Sequence, residues 1–158
     1  MDVLSLLVSA IIIEFLVICS VNLIQTGRSI YDWYKKFGTV AVTSDICSVV
    51  IGIMLAHFAL PNASLLTLVI AGIVVQMIHD TLFFFFFVKP IPQGTNSVID
   101  MFKNYASENS YTILFADAAI IASTILLYSV VKEQSKELIA FLGFSGIYAI
   151  TYIMYTNR

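Results

Sequence analysis

Five stretches of this chain stay apolar for about the 17–25 residues that a bilayer-crossing helix needs. They are 3–24, 39–60, 65–88, 111–131 and 138–156. The second and third are separated only by "PNAS", in which Pro61 and Asn62 read as a tight turn, and the fourth and fifth by "KEQSKE". The fifth is the shortest, at about 19 residues or roughly 28 Å of helix, which is just enough to cross. Two connections hold more than turn residues. "YDWYKKFG" (31–38) mixes Tyr31, Trp33, Tyr34 and Phe37 with Lys35 and Lys36, a composition suited to the headgroup level of a membrane. "IPQGTNSVIDMFKNYASENS" (91–110) opens on turn residues and then predicts a short helix over about 97–108. There Ser97 with Asp100 three residues on fits a capping box, and Val98, Met101, Phe102 and Tyr105 share a face. That helix is expected either to lie on the leaflet surface or to pack as a loop helix. The pattern therefore predicts an all-α integral membrane protein: a single transmembrane domain over 1–158, a compact bundle of five spans, with a short interfacial helix between the third and fourth.

Composition strengthens the class. The 158 residues are 59% hydrophobic and 11% charged, with a mean hydropathy of +0.94, whereas a soluble domain carries about 25% charged residues. A net charge of −2 and the absence of a Lys/Arg block leave nothing for nucleic acid to grip. The partners implied are the lipid bilayer itself and either further copies of the chain or other membrane subunits. Residues 1–24 lack a basic leader, and their apolar run exceeds the roughly 7–15 residues of a signal-peptide core, so they read as a retained helix. Ile18 stands before Cys19, where a lipoprotein signal would want a small residue. Cys19 and Cys47 fall in apolar runs and read as small packing residues. His57, near the end of the second span, reads as interfacial, and the sequon "NAS" at 62–64 sits too near the bilayer for use.

Basic residues favour the cytoplasmic side. Arg28, Lys35, Lys36, Lys89, Lys103 and Arg158 fall on one side of a five-span chain, with Lys132 and Lys136 on the other. The expected orientation is N-terminus outside and C-terminus inside.

Against this background the ionisable residues inside the spans stand out. Glu14 lies in the first, Asp45 in the second, His79 and Asp80 in the third, and Asp117 in the fourth. An acid at a helix centre costs about 2.5–3.5 kcal/mol on insertion scales, so four such placements forfeit on the order of 10 kcal/mol and argue for function or pairing. Counting along each helix from its cytoplasmic end puts Asp45, Asp80 and Asp117 at roughly 9–12 Å and Glu14 at roughly 15 Å, one shared layer. Asp45, Ser48 and Gly52 share a helix face, as do Gly72, Gln76 and Asp80, while His79 can meet Gln76 at i+3. Asp117 shares a side with Thr124, and Ala140, Gly143, Gly146 and Ala149 form a smooth ridge for close helix packing. Phe83 to Phe87 cover every side of a helix end and read as filler against lipid and neighbouring helices.

Three arrangements of Glu14, Asp45, Gln76, His79, Asp80 and Asp117 satisfy the physics. Neutral acids can hydrogen-bond helices together. The acids can bind and pass protons or a cation, with His79 tuning them. Or Glu14, Asp45, His79, Asp80 and Asp117 can hold manganese, iron or zinc in a membrane enzyme, although no E-x-x-H spacing is present. No phosphate-binding loop, nucleophile elbow or C-x-x-C pair occurs, so neither an organic cofactor nor an enzymatic activity is expected.

Residues 88–120, "VKPIPQGTNSVIDMFKNYASENSYTILFADAAI", resemble small polytopic membrane proteins of giant DNA viruses of algae and protists. The likeness rests on Lys89-Pro90, Asn96, the Asp100-to-Tyr105 segment and Asp117, about a fifth of the chain. It implies a virion or host-derived membrane and carries no activity with it.

Overall fold

The computed structural model describes residues 1–24, 28–109 and 111–156. Arg158, counted above in the charge bias, lies outside them. The described residues form seven α-helices and no strand: α1 (Val3–Ile24), α2 (Arg28–Phe37), α3 (Thr39–Ala59), α4 (Leu65–Phe83), α5 (Ser97–Asn109), α6 (Thr112–Val131) and α7 (Lys136–Thr156). Five segments are long and apolar enough to cross a membrane: Val3–Leu23, Thr39–Ala59, Leu65–Val88, Thr112–Val131 and Lys136–Thr156. Each matches a span expected from the hydropathy pattern, with small differences only at the ends.

Helix α1 is the axis of the bundle. Its span is 44% buried, against 17–28% for the other four, and it packs on α3, α6 and α7, while α4 closes the far side against α3 and α6. Glycines set the closest approaches. A Cβ at Gly146 would stand 2.6 Å from Ile11 Cγ2, and one at Gly143 would stand 3.0 Å from Val8 Cγ2. The smooth ridge of α7 is thus its contact face with α1, where only a missing side chain lets the backbones come together. Gly72 does the same for α4 against Ile121 and Ile125 of α6, at 3.0 and 3.1 Å.

The ends of the third span follow local chemistry. Ser64 caps α4, its Oγ accepting the Thr67 N–H at 3.2 Å. At the other end α4 widens into a π-helical turn over Phe84–Val88, closed by the Lys89 N–H on the Phe84 carbonyl at 2.8 Å. Pro90 follows, which has no N–H to extend the ladder, so the helix ends there even though Lys89 keeps helical backbone angles, φ −65° and ψ −45°. Phe85, Phe86 and Phe87 point outward, as filler should, but Phe83 packs edge-on against Phe102 of α5 at 5.4 Å.

The two short helices depart from expectation. Residues 28–37 are helical, where composition suggested only chain at the headgroup level. Gly38 ends α2 and starts α3 at φ 58°, a left-handed value that favours glycine, and its N–H reaches the Tyr34 carbonyl at 2.9 Å. Helix α5 is present, but the capping box is not. Asn96 is the cap, its Oδ1 accepting the N–H groups of Val98 and Ile99 at 2.9 and 3.3 Å. Asp100 instead reaches back to the Gly94 N–H at 2.9 Å. Asparagine caps as well as serine does, and standing one residue earlier it takes the role from Ser97.

Helices α2 and α5 pack on each other at one end of the bundle. Trp33, Tyr34 and Met101 are buried there, with Val98, Phe102 and Tyr105 packed around them. Glu108 clasps the pair, its two carboxylate oxygens accepting the Arg28 and Ser29 N–H groups at 2.7 and 2.8 Å. These are unpaired donors of the first turn of α2, so α5 supplies the cap that α2 lacks. At the opposite end His57 is half-buried beside Met1. Of the two free cysteines Cys19 is half-buried, but Cys47 is exposed rather than packed, because it lies on the outward side of α3.

Candidate functional site

The acidic residues of the four spans face the interior of the bundle and meet in two pairs beneath the α2–α5 cap. The first pair joins α1 to α3. Glu14 is only 4% exposed, and the neighbouring carboxyl is that of Asp45. The Gly38 turn folds α2 back against α3, which brings Trp33 onto a residue twelve positions later. Its indole Nε1–H donates to Asp45 Oδ2 at 2.9 Å. The Tyr34 hydroxyl approaches both Glu14 and Asp45. Burial, and then the Glu14 and Asp45 carboxyls, push this hydroxyl far above its ordinary range, so it stays a donor between them.

The second pair joins α4 to α6. Asp80 Oδ1 accepts from Gln76 Nε2 at 2.8 Å and lies 3.0 Å from His79 Nδ1. The expected direct contact between His79 and Gln76 is therefore replaced by a shared contact on Asp80. The physical reason is that Gln76 and Asp80 lie one helical turn apart on a common stripe, while the His79 ring stacks parallel on Phe83 at 6.1 Å. Asp117 of α6 lies within hydrogen-bonding reach of Asp80, so a proton on either carboxyl would join the two.

The pairs are linked. Asp45 acts electrostatically on Asp117, and Tyr105 of α5 faces Asp117, Asp45 and Asp80 together. Burial, then the Asp117 carboxyl, pushes the Tyr105 hydroxyl up to about 12. The order through the bundle is Glu14, Asp45, Asp117, Asp80, His79. Small residues permit it: a Cβ at Gly52 would stand 3.2 Å from Gln76 Oε1.

Charge compensation is sparse. Ion pairs among the described residues are Arg28–Asp32, Lys132–Glu133 and His79–Asp80, so no lysine or arginine pairs with any of the four buried acids. Glu14 Oε1, Asp80 Oδ2 and Thr124 Oγ1 are buried without a hydrogen-bond partner among those residues. The metal-binding set of Glu14, Asp45, His79, Asp80 and Asp117 does not assemble: among the described residues no three His, Cys, Asp or Glu side chains group closely enough to hold an ion. They associate as pairs from two helices each, and aromatic hydroxyls fill the space between.

Sequence reading had assigned no site role to Trp33, Tyr34 or Tyr105. Their only signal was an aromatic ring carrying an N–H or O–H donor, which for Trp33 and Tyr34 reads equally well as a headgroup belt and for Tyr105 as one position of an apolar helix face. No family model, curated protein sequence or solved structure matches this chain. The fold and site together define an all-helical chain with five potential spans and a linked set of interior acids.

Proposed function

We propose that the chain is a five-span integral membrane protein that takes up and passes protons along Glu14, Asp45, Asp117 and Asp80, with Tyr34, Gln76 and His79 as hydrogen-bonding partners. The observation that carries this reading is the linked order of four carboxyls from four helices with no cationic lysine or arginine among them. A structural ion pair would need that counter-charge; a proton-exchanging site works without one. The absence of any three-ligand grouping among the described residues favours protons over a coordinated metal.

The test is proton flux into vesicles containing the purified chain and an internal pH-sensitive dye. Asp80→Asn and Asp117→Asn are expected to lower the flux by about a hundredfold, the lower end of what a positioned acid–base group contributes. Glu14→Gln should lower it similarly while leaving thermal unfolding in detergent unchanged, because the amide oxygen can still accept from the Tyr34 hydroxyl. Wild-type flux equal to that of empty vesicles would remove the reading.

A second reading, in which the acids only hold helices together, is favoured by the Trp33–Asp45 bond that ties α2 to α3. It predicts that the amide variants lose stability and that no variant changes flux.

A further inference from the structure

The two ends of the acid series differ in access. On α4, Gly72 and His79 are seven residues apart and so lie on the same side of the helix to within about 20°. Gly72 is buried against Ile121 and Ile125, whereas the His79 side chain is 55% exposed. On α6, Thr124 and Asp117 are likewise seven apart; Thr124 is fully buried and Asp117 is only half-buried. The contact between α4 and α6 therefore covers Gly72 and Thr124 fully but leaves His79 exposed and Asp117 half-covered, on faces that elsewhere point to the core. At the other end Glu14 is 4%, Trp33 4% and Tyr34 6% exposed. Asp45 beside them is half-buried, so the covered end of the series is Glu14 itself, under Trp33 and Tyr34.

From this asymmetry we infer that the exposed end of the α4–α6 contact is the port of the site, with His79 as the group that exchanges protons with the outside and Glu14 as its closed end. This rests on the proton reading above. Imidazole carries one nitrogen on each side of its ring, so it can accept a proton on one and release a proton from the other. One proton arrives at Nε2, and one leaves Nδ1 for Asp80 Oδ1, 3.0 Å away. The ring ends neutral, with a single proton relocated, and resets by exchanging tautomers. The groups facing this step are Asp80 and Gln76 on α4, Asp117 on α6, Tyr105 on α5 and, one step further, Asp45 on α3. Phe83 stacks on the ring and holds its plane. From Asp80 the proton passes to Asp117, which lies within hydrogen-bonding reach, and the unpartnered Glu14 Oε1 is the acceptor left at the closed end.

Two measurements on the full chain in vesicles test the port. In the first, His79→Asn should cut proton flux by about a hundredfold, and millimolar imidazole added to the buffer should restore much of it. His79→Gln should behave alike, which guards against one variant folding poorly. In the second, the wild-type protein is treated with dicyclohexylcarbodiimide, which attacks protonated carboxyls, and the label is placed by mass spectrometry. Label is expected on Asp80 or Asp117, with Glu14 unmodified. Flux that survives both His79 variants, flux lost without rescue by imidazole, or label on Glu14 equal to that on Asp80 would overturn the port while leaving proton transport in place. Absence of flux in the wild type would instead overturn the proton reading and the port together.

Discussion

The Trp33 indole and the Asp45 carboxylate are the contact on which the closed end of the site depends. The indole is buried and its bond is to a carboxylate, so its removal leaves a buried acceptor without its donor. Trp33→Phe keeps most of the packing against Phe37 and Phe102 but deletes the bond, and should cost about 1.5–3 kcal/mol in detergent unfolding. Gly146 is a second residue whose chemistry is decided by one neighbour. Alanine is the better helix former by about 1 kcal/mol, yet its Cβ would sit 2.6 Å from Ile11 Cγ2, part of a stiff β-branched side chain. The clash should win: Gly146→Ala is expected to destabilise by about 1–3 kcal/mol, and Ile11→Ala in the same chain should recover part of that loss. A Gly146→Ala protein as stable as wild type would mean that α7 does not press on α1 there.

Among the elements, α2 is the one that neighbours hold in place. It has ten residues, too few to be stable alone. Its first turn is capped by Glu108 from α5, and its last turn is ended by Gly38. The Ser29 hydroxyl, together with the Ser29 and Arg28 backbone N–H groups, holds the Glu108 carboxyl below its ordinary range. A depressed carboxylate favours the folded form above its unfolded pKa and loses that contribution as pH falls through the lower, folded value. Hydrogen exchange at the Arg28 and Ser29 amides should therefore be slow at neutral pH and accelerate only below the usual glutamate range. Glu108→Gln should exchange quickly at neutral pH, and identical protection in that variant would mean the clasp is immaterial. Helix α5 shows the same dependence in weaker form. Its existence was readable from Val98, Met101, Phe102 and Tyr105, but its true cap, Asn96, was hidden because Ser97 and Asp100 offered an equally good motif one residue later.

For the whole molecule, the distribution of basic residues predicts that the α2–α5 end faces the cytoplasm. Arg28, Lys35, Lys36, Lys89 and Lys103 lie in the connections at that end, and Lys132 and Lys136 at the other. A glycosylation tag in the 132–136 connection should be modified, and one between 91 and 96 should not. The reverse pattern would place the acid layer toward the outer leaflet. Much of this scale was legible in advance. Five apolar runs of the right length specify five helices because backbone polar groups in lipid can be satisfied only within each segment. The acids were legible for the same reason, since each charged group in such a run is conspicuous by its cost.

Composition and hydropathy by themselves indicated the number of long helices, their extents apart from the end residues, and which side chains are anomalous within them, because those properties depend on residues close together along the chain. Which acid meets which was decided only in three dimensions. Asp45 pairs with Glu14 because α1 packs on α3, with Trp33 and Tyr34 of the turned-back α2 bonded over them, and Asp80 pairs with Asp117 because Gly72 lets α4 settle onto α6. The exposure of His79 is likewise invisible to any periodic reading, which assigns it the same side of α4 as the buried Gly72. It follows from which part of α4 its neighbours cover, and that is set by packing between residues distant in the sequence.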